Sequence, residues 1–448
     1  MARKKQRGPE TATIESVSHD GRGIAAIEGK KVFVAGALAG EEVRFQRRKR
    51  HRNFDDAELL EVLIPSASRI EPRCAAFGTC GGCSLQHIPE DDQRAIKHQT
   101  LVDSLQRIGN VAPDRWLPPL FNDEIDGGWN YRRRARLAVK DVAAKGRVLV
   151  GFRERHAPFV TNMFRCEVLG HPVDGLIEAL SDMIATLSIR SRVPQIEVAI
   201  ADNAVALVFR VLDPPTDDDK SKLAAFACEH SVRVLLQPGG LDSIVPLDAA
   251  HIDPALSYRI DEFDVTIEFE GTDFVQVNGD VNARMVSRAI DLLQLEPHHR
   301  VLDLYCGIGN FSLPLARKCS YVLGVEGENR QVARATANAA LNNIDNCEFR
   351  TADLSKIDGR ESWMHEHWDR VLLDPARNGA PEIVEQISAI AAQRIVYVSC
   401  HPGTLARDAG QLVGHHGYAL EAAGIVDMFP HTAHVESLAV FDKTNKKE

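Results

Sequence analysis

The arrangement of apolar and polar residues divides the chain into three parts. From about residue 10 to residue 64, short alternating runs are separated by glycines, a pattern that predicts β-strands joined by tight turns. Five such strands are enough for a small barrel. They are predicted at Thr11–Val17, Gly23–Ile27, Lys31–Val34, Glu42–Arg47 and Ala57–Leu63.

The middle of the chain is rich in period-two alternation. After one segment of helical periodicity at Pro89–Ile108, a β-rich region extends to about residue 268 and includes a helix near Val173–Thr186. Its strands are predicted at Arg136–Val139, Val148–Phe152, Gln195–Ala201, Val205–Val211 and Val265–Phe269.

From Phe274 onward the chain alternates between strands and helices, as a parallel α/β sheet requires. A long amphipathic helix reaches Leu295. The strands after it are predicted at Val301–Leu304, Tyr321–Val325, Glu348–Thr351, Arg370–Leu373, Arg394–Val398, Ala419–Ile425 and Ser437–Phe441. We therefore predict an α/β protein with domains at residues 1–68, 69–268 and 269–448. The helix at about 89–108 is expected to pack on the last of these domains.

Composition is that of a globular protein. The chain has 448 residues, of which 44% are hydrophobic and 26% charged, so it can form several cores. No apolar run is long enough to span a membrane, and no apolar segment follows the basic start, so we expect a cytoplasmic protein without a signal peptide. In a reducing compartment, the nine cysteines indicate metal binding or catalysis rather than disulfides.

Charge is distributed unevenly along the chain. The net charge is −10, yet residues 1–69 carry 14 Lys/Arg against 10 Asp/Glu. The fourth predicted strand leads into a cationic stripe, which we interpret as an RNA-binding surface rather than a solvated charge run. The stripe consists of Arg44, Arg47, Arg48, Lys49, Arg50, His51 and Arg52. Arginines 132, 133, 134 and 136, beside Tyr131, either extend this surface or form a solvated strand edge.

One stretch has the form of a nucleoside-binding loop. An apolar strand ending at Leu304 turns through Gly307 and Gly309 into a helical pattern, and a second strand ends in Glu326, where a carboxylate accepts hydrogen bonds from ribose hydroxyls. A dinucleotide fingerprint would place another glycine where Ser312 stands, and the loop has no basic residue for a phosphate. S-adenosylmethionine therefore fits this loop better than NAD.

Three cysteines follow the predicted barrel. Cys74, Cys80 and Cys83 have C-x5-C-x2-C spacing, with glycines that allow the sulfurs to converge. A fourth ligand is expected at Cys166, although Cys228 competes with it on sequence alone. Four thiolates suit structural zinc or an iron–sulfur cluster, and spacing does not choose between them.

Reactive side chains follow the later strands of the α/β region, where ligands bind in such sheets. Asp374 follows one strand, Cys400 follows the next, and Glu436 precedes the last. A thiolate beside a methyl donor indicates methylation of uracil at C5, because thiolate addition to C6 makes C5 nucleophilic. Glu436 is then the candidate base for the C5 proton, and Asp374 is placed to position the ring.

These motifs together resemble the RNA uracil-C5 methyltransferase family. The similarity covers the C-terminal half through FVQVN, LDLYCGIGNFSLPLA, LLDPARNGA, YVSCHPGTLARD and HTAHVES. It implies that Cys400 is the nucleophile, that Glu436 is the base, and that Asp374 lies between methyl donor and uracil. It also implies contacts to S-adenosylmethionine from Gln276, Tyr305, Asn310, Glu326, Asp353 and Asp374.

The front half resembles the branch of this family that acts on the 23S rRNA of the large ribosomal subunit. That branch joins an N-terminal OB-like TRAM barrel to a β-rich central domain in which four cysteines hold a [4Fe-4S] cluster, and to a C-terminal Rossmann-like methyltransferase domain. By this resemblance Cys74, Cys80, Cys83 and Cys166 hold the cluster. We expect a monomer that modifies a uridine of rRNA domain IV.

Other functions fit parts of the sequence. An amino-methyltransferase would have an aromatic residue where Arg377 stands, and a cytosine-C5 methyltransferase would use a second catalytic cysteine, for which Cys306 is the candidate. We interpret Cys306 as a small residue beside the donor. The remaining alternatives are the same chemistry on another rRNA or tRNA uridine, and a non-catalytic iron–sulfur protein that assists RNA assembly.

Overall fold

The computed structural model describes residues 8–444 except residues 19, 125 and 249–253. The basic start of the chain, which contributes to the predicted cationic front end, lies outside the described residues. The strands are β1 (Glu10–Thr13), β2 (Ser16–Val17), β3 (Arg22–Ile27), β4 (Lys30–Ala35), β5 (Glu42–Arg50), β6 (Phe54–Ile64), β7 (Arg115–Trp116), β8 (Arg134–Val142), β9 (Arg147–Gly151), β10 (Gln195–Ile200), β11 (Val205–Arg210), β12 (Arg233–Gln237), β13 (Val245–Pro246), β14 (Leu256–Ile260), β15 (Val265–Phe269), β16 (Arg300–Leu304), β17 (Tyr321–Glu326), β18 (Cys347–Thr351), β19 (Arg370–Leu373), β20 (Arg394–Ser399), β21 (Tyr418–Val426) and β22 (Glu436–Lys443).

The helices separate these strands and flank the sheets. They are α1 (Glu90–Ser104), α2 (Ile177–Ala185), α3 (Asp217–His230), α4 (Gly279–Leu293), α5 (Ser312–Ala316), α6 (Asn329–Leu341), α7 (Pro381–Ile390) and α8 (Pro402–His415). Within the described ranges, no helix combines the length and the apolar character needed to cross a bilayer.

The N-terminal strands form a six-stranded sheet in the order β1-β5-β6-β4-β3-β2. Alternate residues point into a core that includes Val32, Val34, Val43 and Phe45. The first predicted strand is two strands in the structure. Ile14 interrupts it because its backbone N–H donates to Glu41 O at 2.8 Å instead of continuing the ladder.

The cationic stripe is mostly neutralised by carboxylates of β6 and β1. Arg47 is buried and donates to Glu10 and Asp55, so it is not available to RNA. Arg44 pairs with Glu61, and Arg48 pairs with Glu58. The stripe members that are exposed and make no ion pair with any described residue are Lys49, Arg50 and Arg52. The basic surface is therefore smaller than the sequence predicted, and it lies at the β5–β6 turn.

The central strands form a second six-stranded sheet in the order β13-β12-β11-β10-β8-β9, with α2 and α3 packed against it. The predicted helix near Val173–Thr186 is confirmed as α2. Helix α3 was not predicted, because its first turn is Asp217–Asp219 and its few apolar residues give a weak helical pattern. A capping box at Thr216 nevertheless fixes its start.

The arginines near Tyr131 are held by contacts within the protein. Arg133 pairs with Asp202 and Arg136 pairs with Glu197, while Arg134 donates to the Gly271 carbonyl. The pairs of Arg133 and Arg136 stay within the central region, and only Arg134 reaches the segment that follows β15.

The C-terminal strands form an eight-stranded sheet in the order β18-β17-β16-β19-β20-β22-β21-β7. Strands β16 to β20 are parallel, and β22 runs antiparallel between β20 and β21. The predicted α/β class is confirmed, and each predicted strand of this region is present. The predicted long helix is α4, which begins at Gly279, where the Asn278 side chain caps it by accepting from Val281 N, and ends at Leu293, two residues before the predicted end at Leu295.

The segment 90–120 packs on the C-terminal sheet, although it precedes the central sheet in the sequence. Leu101 and Leu105 share a core with Tyr397 and Leu405. Strand β7 adds to the edge of β21, and the Leu117 and Leu120 N–H groups donate to carbonyls of β21. The C-terminal sheet is therefore completed by residues from the N-terminal half of the chain.

Candidate active site

The glycine loop folds back over the end of the neighbouring strand. Tyr305, directly after β16, has φ +65°, and its N–H donates to Val325 O at 2.9 Å. Gly307 and Gly309 follow with φ +55° and +96°, values that side chains with a Cβ rarely adopt. The loop thus lies at the carboxyl ends of β16 and β17, where doubly wound folds bind nucleosides.

Glu326 is oriented by this loop. Its carboxylate accepts from Gly307 N at 3.1 Å and from Gly327 N at 2.6 Å. The side chain is partly exposed at the end of β17. A carboxylate held here by backbone amides suits the ribose hydroxyls of a nucleoside, which fits S-adenosylmethionine.

Asp303 is a buried carboxyl beneath the loop that the sequence did not single out. The Ser312 hydroxyl, in the position of the missing glycine, donates to Asp303 Oδ2, while Oδ1 has no hydrogen-bond partner among the described residues. Burial, together with the charges of Asp374 and Glu326, raises the pKa of Asp303 to about 8. The signal in the sequence was an acidic residue inside the apolar run of β16.

The other predicted donor contacts lie around the same loop. Gln276 precedes α4 and makes no hydrogen bond to the described part of the chain. The amide of Asn310 exchanges hydrogen bonds with that of Asn282 and accepts from the Tyr258 hydroxyl, so it fixes the loop. Asp353 is exposed beyond β18, where Lys356 and Ser355 lower its pKa to about 2. Their contacts to the donor remain predictions.

Cys400, Glu436 and Asp374 come together at one edge of the C-terminal sheet. Cys400 lies between β20 and α8, and Asp374 follows the adjacent strand β19. Ser399 pairs with Ser437 across the β20–β22 ladder, so Cys400 and Glu436 are neighbours at the next position. The sheet topology therefore joins residues that are 62 positions apart at most.

Burial raises the proton affinity of all three groups. Glu436 is 6% exposed, its Oε2 has no hydrogen-bond partner in the described part of the chain, and burial with the charge of Asp374 raises its pKa to about 8. Burial raises the pKa of Asp374 to about 7. Burial and then the charges of Glu436 and Asp374 raise the pKa of the Cys400 thiol to about 11. The thiol thus needs a proton acceptor, and both carboxyls can exchange protons near neutral pH.

Lys97 brings a positive charge to this site from helix α1. Its Nζ is buried and donates to Asp427 Oδ1 at 2.6 Å and to Phe429 O at 2.9 Å. Its charge lowers the pKa of Glu436, opposing the effect of burial. Sequence reasoning missed Lys97 because it stands 330 residues from its partner in an ordinary polar helix.

Asp408 holds the loop that follows Asp374. Its Oδ2 accepts from Ala380 N at 2.9 Å and from the Tyr397 hydroxyl at 2.7 Å. Gly379 has φ +77°, and a Cβ there would lie 2.5 Å from Asp408 Oδ2. The helix that follows Cys400 therefore also positions the loop of Asp374.

The four predicted cluster cysteines line a single cavity. Phe77, Phe152 and Met163 complete its apolar wall. Burial raises the pKa of Cys83 to about 11 and that of Cys166 to about 12. Cys228, the competing candidate, is exposed on α3 and does not line the cavity. The structure thus brings Cys166 to the other three, and the role of the four as ligands remains a prediction.

Comparisons with known proteins agree with this geometry. Residues 242–444 match the family "tRNA (Uracil-5-)-methyltransferase", and residues 4–60 match the TRAM domain. Relatives from Alkalilimnicola ehrlichii and Nitrosococcus oceani are each 48% identical, over 98% of this chain and 98% and 97% of their own lengths. Both are named 23S rRNA (uracil(1939)-C(5))-methyltransferase RlmD.

A solved structure shares the fold over nearly the whole chain. It is the Pyrococcus abyssi tRNA (uracil-54, C5)-methyltransferase in complex with S-adenosyl-L-homocysteine, at 23% identity, with a TM-score of 0.74 and coverage of 96% of this chain and 100% of that one. The C-terminal sheet is thus a class I methyltransferase fold, and the N-terminal sheet is a TRAM domain. The chain belongs to the RlmD family of S-adenosylmethionine-dependent RNA uracil-C5 methyltransferases.

Proposed function

We propose that this protein methylates C5 of a uridine in 23S rRNA through a covalent bond between Cys400 and C6 of the uracil. The observation that carries this proposal is that the strand pairing brings Cys400, Glu436 and Asp374 to one end of the sheet, where Asp374 follows the strand next to the one that leads into the glycine loop. The name of the relatives supports the choice of 23S rRNA. We further propose that the uridine lies in domain IV, as the resemblance of the sequence implies.

The reaction begins with Cys400. Its Sγ bonds to C6, and the C5=C6 electron pair moves to C5 and O4 as an enolate. Glu436 must stay ionised for the later step, so we assign the thiol proton to the ionised carboxylate of Asp374, whose charge acts on the Cys400 thiol. The same carboxyl then holds the uracil edge.

The second half of the reaction transfers the methyl group and then removes the proton from C5. S-adenosylmethionine, when bound, supplies an electrophilic methyl group to C5. Glu436 then takes the C5 proton, the electron pair of the C–H bond forms C5=C6, and the Sγ–C6 bond breaks. The Cys400 thiolate recovers its proton from Asp374, so the protein ends as it began, with one proton passed from Glu436 to water.

Label transfer tests the enzyme assignment. Purified protein is incubated with donor labelled in its methyl group and with unmodified 23S rRNA, 16S rRNA or tRNA. We expect label in 5-methyluridine of 23S rRNA, no label with Cys400→Ala, and full activity with Cys228→Ser, a matched control on the exposed face of α3. Label in 16S rRNA or tRNA instead would identify that RNA as the substrate. No label from a protein that still binds RNA would indicate the non-catalytic assembly factor.

We propose a [4Fe-4S] cluster rather than zinc at the four cysteines. Tetrahedral zinc holds its sulfurs roughly 3.8 Å apart. Among the described residues, the one group of three or more metal-binding side chains whose ligand atoms lie mutually within 4.8 Å is Glu296, His298 and His299. No three of the four sulfurs lie mutually within that distance, which is wider than tetrahedral zinc allows, and this supports a larger cluster. Iron and acid-labile sulfide in the purified protein would support the cluster, whereas stoichiometric zinc would refute it.

A further inference from the structure

The loop that leads to Glu436 is held by the N-terminal half of the chain. Residues 427–435 connect β21 to β22 and end at the proposed base. Asp427 N donates to Leu120 O at 2.7 Å, and the Tyr131 hydroxyl donates to Pro430 O at 3.2 Å. Lys97 binds this loop as well. Most of its polar contacts therefore come from residues that precede the catalytic domain.

The segment directly after the third cluster cysteine makes the densest of these contacts. The N–H groups of Ser84 and Leu85 both donate to His431 O, at 2.9 and 3.0 Å. The Ser84 hydroxyl accepts from Ala433 N at 3.1 Å. Ser84 is bonded to Cys83, and Ala433 is three residues from Glu436.

Helix α1 and Trp129 fix the same turn from the other side. Gln93 Oε1 accepts from His431 N at 2.8 Å, and the His431 ring stacks on Trp129 with centroids 3.8 Å apart. His431 has φ +62°, a conformation that non-glycine residues adopt only where the surroundings hold them. The position of the turn thus depends on partners outside the catalytic domain.

We propose that Ser84 is a positioning residue for Glu436, and that through it the four-cysteine site controls removal of the C5 proton. This inference rests on the proposed function, in which Glu436 is the base. A rigid Cys83 places Ser84 and Leu85 against the turn, and the turn places the carboxylate at C5. Loss of that support slows the final elimination and leaves the earlier attack by Cys400 intact, because Cys400 is held by β20 and α8.

The test separates methyl transfer from release of the product. Single-turnover reactions follow label transfer to RNA and, in parallel, the fraction of protein that remains bonded to methylated RNA in detergent. For Ser84→Ala we expect unchanged methyl transfer and roughly three- to ten-fold slower resolution of the adduct, the effect of one hydrogen bond. Ser84→Thr, which keeps the hydroxyl, should restore the rate.

Controls distinguish a local effect from damage to the fold. Ser66→Ala, whose hydroxyl contacts only Ser68 and its backbone among the described residues, should resolve the adduct at the wild-type rate. Visible absorbance of each variant reports whether the cysteine site is intact. Unchanged resolution in Ser84→Ala would overturn the inference.

The cysteine site itself is tested by iron chelation of the purified protein. The chelated protein should still transfer methyl groups and should accumulate the methylated adduct as Ser84→Ala does. Loss of methyl transfer, or an adduct fraction equal to that of the untreated protein, would contradict the coupling. Glu436→Gln is assayed in parallel. If that variant traps no adduct, Glu436 is not the base and the proposed function is wrong. If it traps the adduct while Ser84→Ala resolves the adduct at the wild-type rate, only the role of Ser84 is contradicted.

Discussion

The pKa values of the acid–base residues in this protein are set by the side chains that folding places beside them. The motifs of the sequence were sufficient to single out Cys400, Glu436 and Asp374, since each stands at a strand end. Asp303 and Lys97 were not predicted, because a buried strand acid and a helix lysine have the same local pattern whether or not they face a site. Their effects on the acid–base groups arise from contacts between distant segments.

Glu436 should destabilise the folded protein at neutral and alkaline pH. Its pKa rises from 4.5 to about 8 on folding, so the unfolded chain loses the proton first as pH increases. The resulting decrease in the free energy of unfolding is absent below pH 4.5, grows between pH 4.5 and 8, and reaches about 4–5 kcal/mol above that range. Glu436→Gln, which mimics the protonated form, should therefore raise the melting temperature at pH 8 and leave it unchanged at pH 4.5.

The exposed Glu15→Gln is the control for that comparison, and it should change the melting temperature little at either pH. Equal stabilisation by Glu436→Gln at both pH values would show that the carboxylate is not buried as described.

Elements in the α/β region were predicted well, because a parallel sheet buries each strand and gives a strong apolar run. The boundaries of β16, β19 and β20 agree with prediction within a residue or two. What the pattern could not predict is how closely the elements approach one another. Helix α1 continues as a π-helical turn to Gly109, and this turn packs on α8 through backbone at Gly109 as well as through the Leu105 side chain.

The contact between these elements requires Gly410. A Cβ at this position in α8 would lie 2.8 Å from Gly109 O, and backbone atoms cannot move aside as side chains do. Gly410→Ala should lower the free energy of unfolding by about 1–3 kcal/mol. In the same helix, a Cβ added at Gly414 would meet no described atom within 4 Å, so Gly414→Ala should instead add about 0.5–1 kcal/mol.

Chemical denaturation of the two variants measures both effects. If Gly410→Ala is as stable as Gly414→Ala, then α1 and α8 do not approach as closely as the structure shows.

The described part of the chain joins three large sheets and the two-stranded β14-β15 sheet so that the N-terminal half supports the catalytic half. The order of the three regions and their strand-rich or alternating character could be predicted from the chain. The addition of β7 to the C-terminal sheet could not, because β7 is two residues long and has no pattern of its own. The ion pairs that neutralise the cationic stripe also depend on strand pairing, which places the β6 carboxylates beside β5.

The β5–β6 turn should provide the electrostatic part of RNA binding. In the triple variant, glutamine replaces Lys49, Arg50 and Arg52. The slope of the logarithm of the RNA-binding constant against the logarithm of the salt concentration should become shallower by about 2–3, since each phosphate contact contributes roughly 0.7–0.9 to that slope. Binding of unmodified 23S rRNA is measured over a range of salt concentrations. The double variant Arg44→Gln and Arg48→Gln, whose arginines are paired with Glu61 and Glu58, should change the slope less. A larger change of slope in that double variant would show that Arg44 and Arg48, rather than the β5–β6 turn, make the electrostatic contacts to RNA.

The covalent intermediate tests the central claim most directly. Glu436→Gln is incubated with S-adenosylmethionine and unmodified 23S rRNA, digested with nuclease and protease, and analysed by mass spectrometry. We predict that the peptide containing Cys400 carries a 5-methyluridine nucleotide on its sulfur, because attack and methyl transfer proceed while proton removal does not. An unmodified Cys400 peptide, or a nucleotide on another residue such as Cys306, would contradict the mechanism.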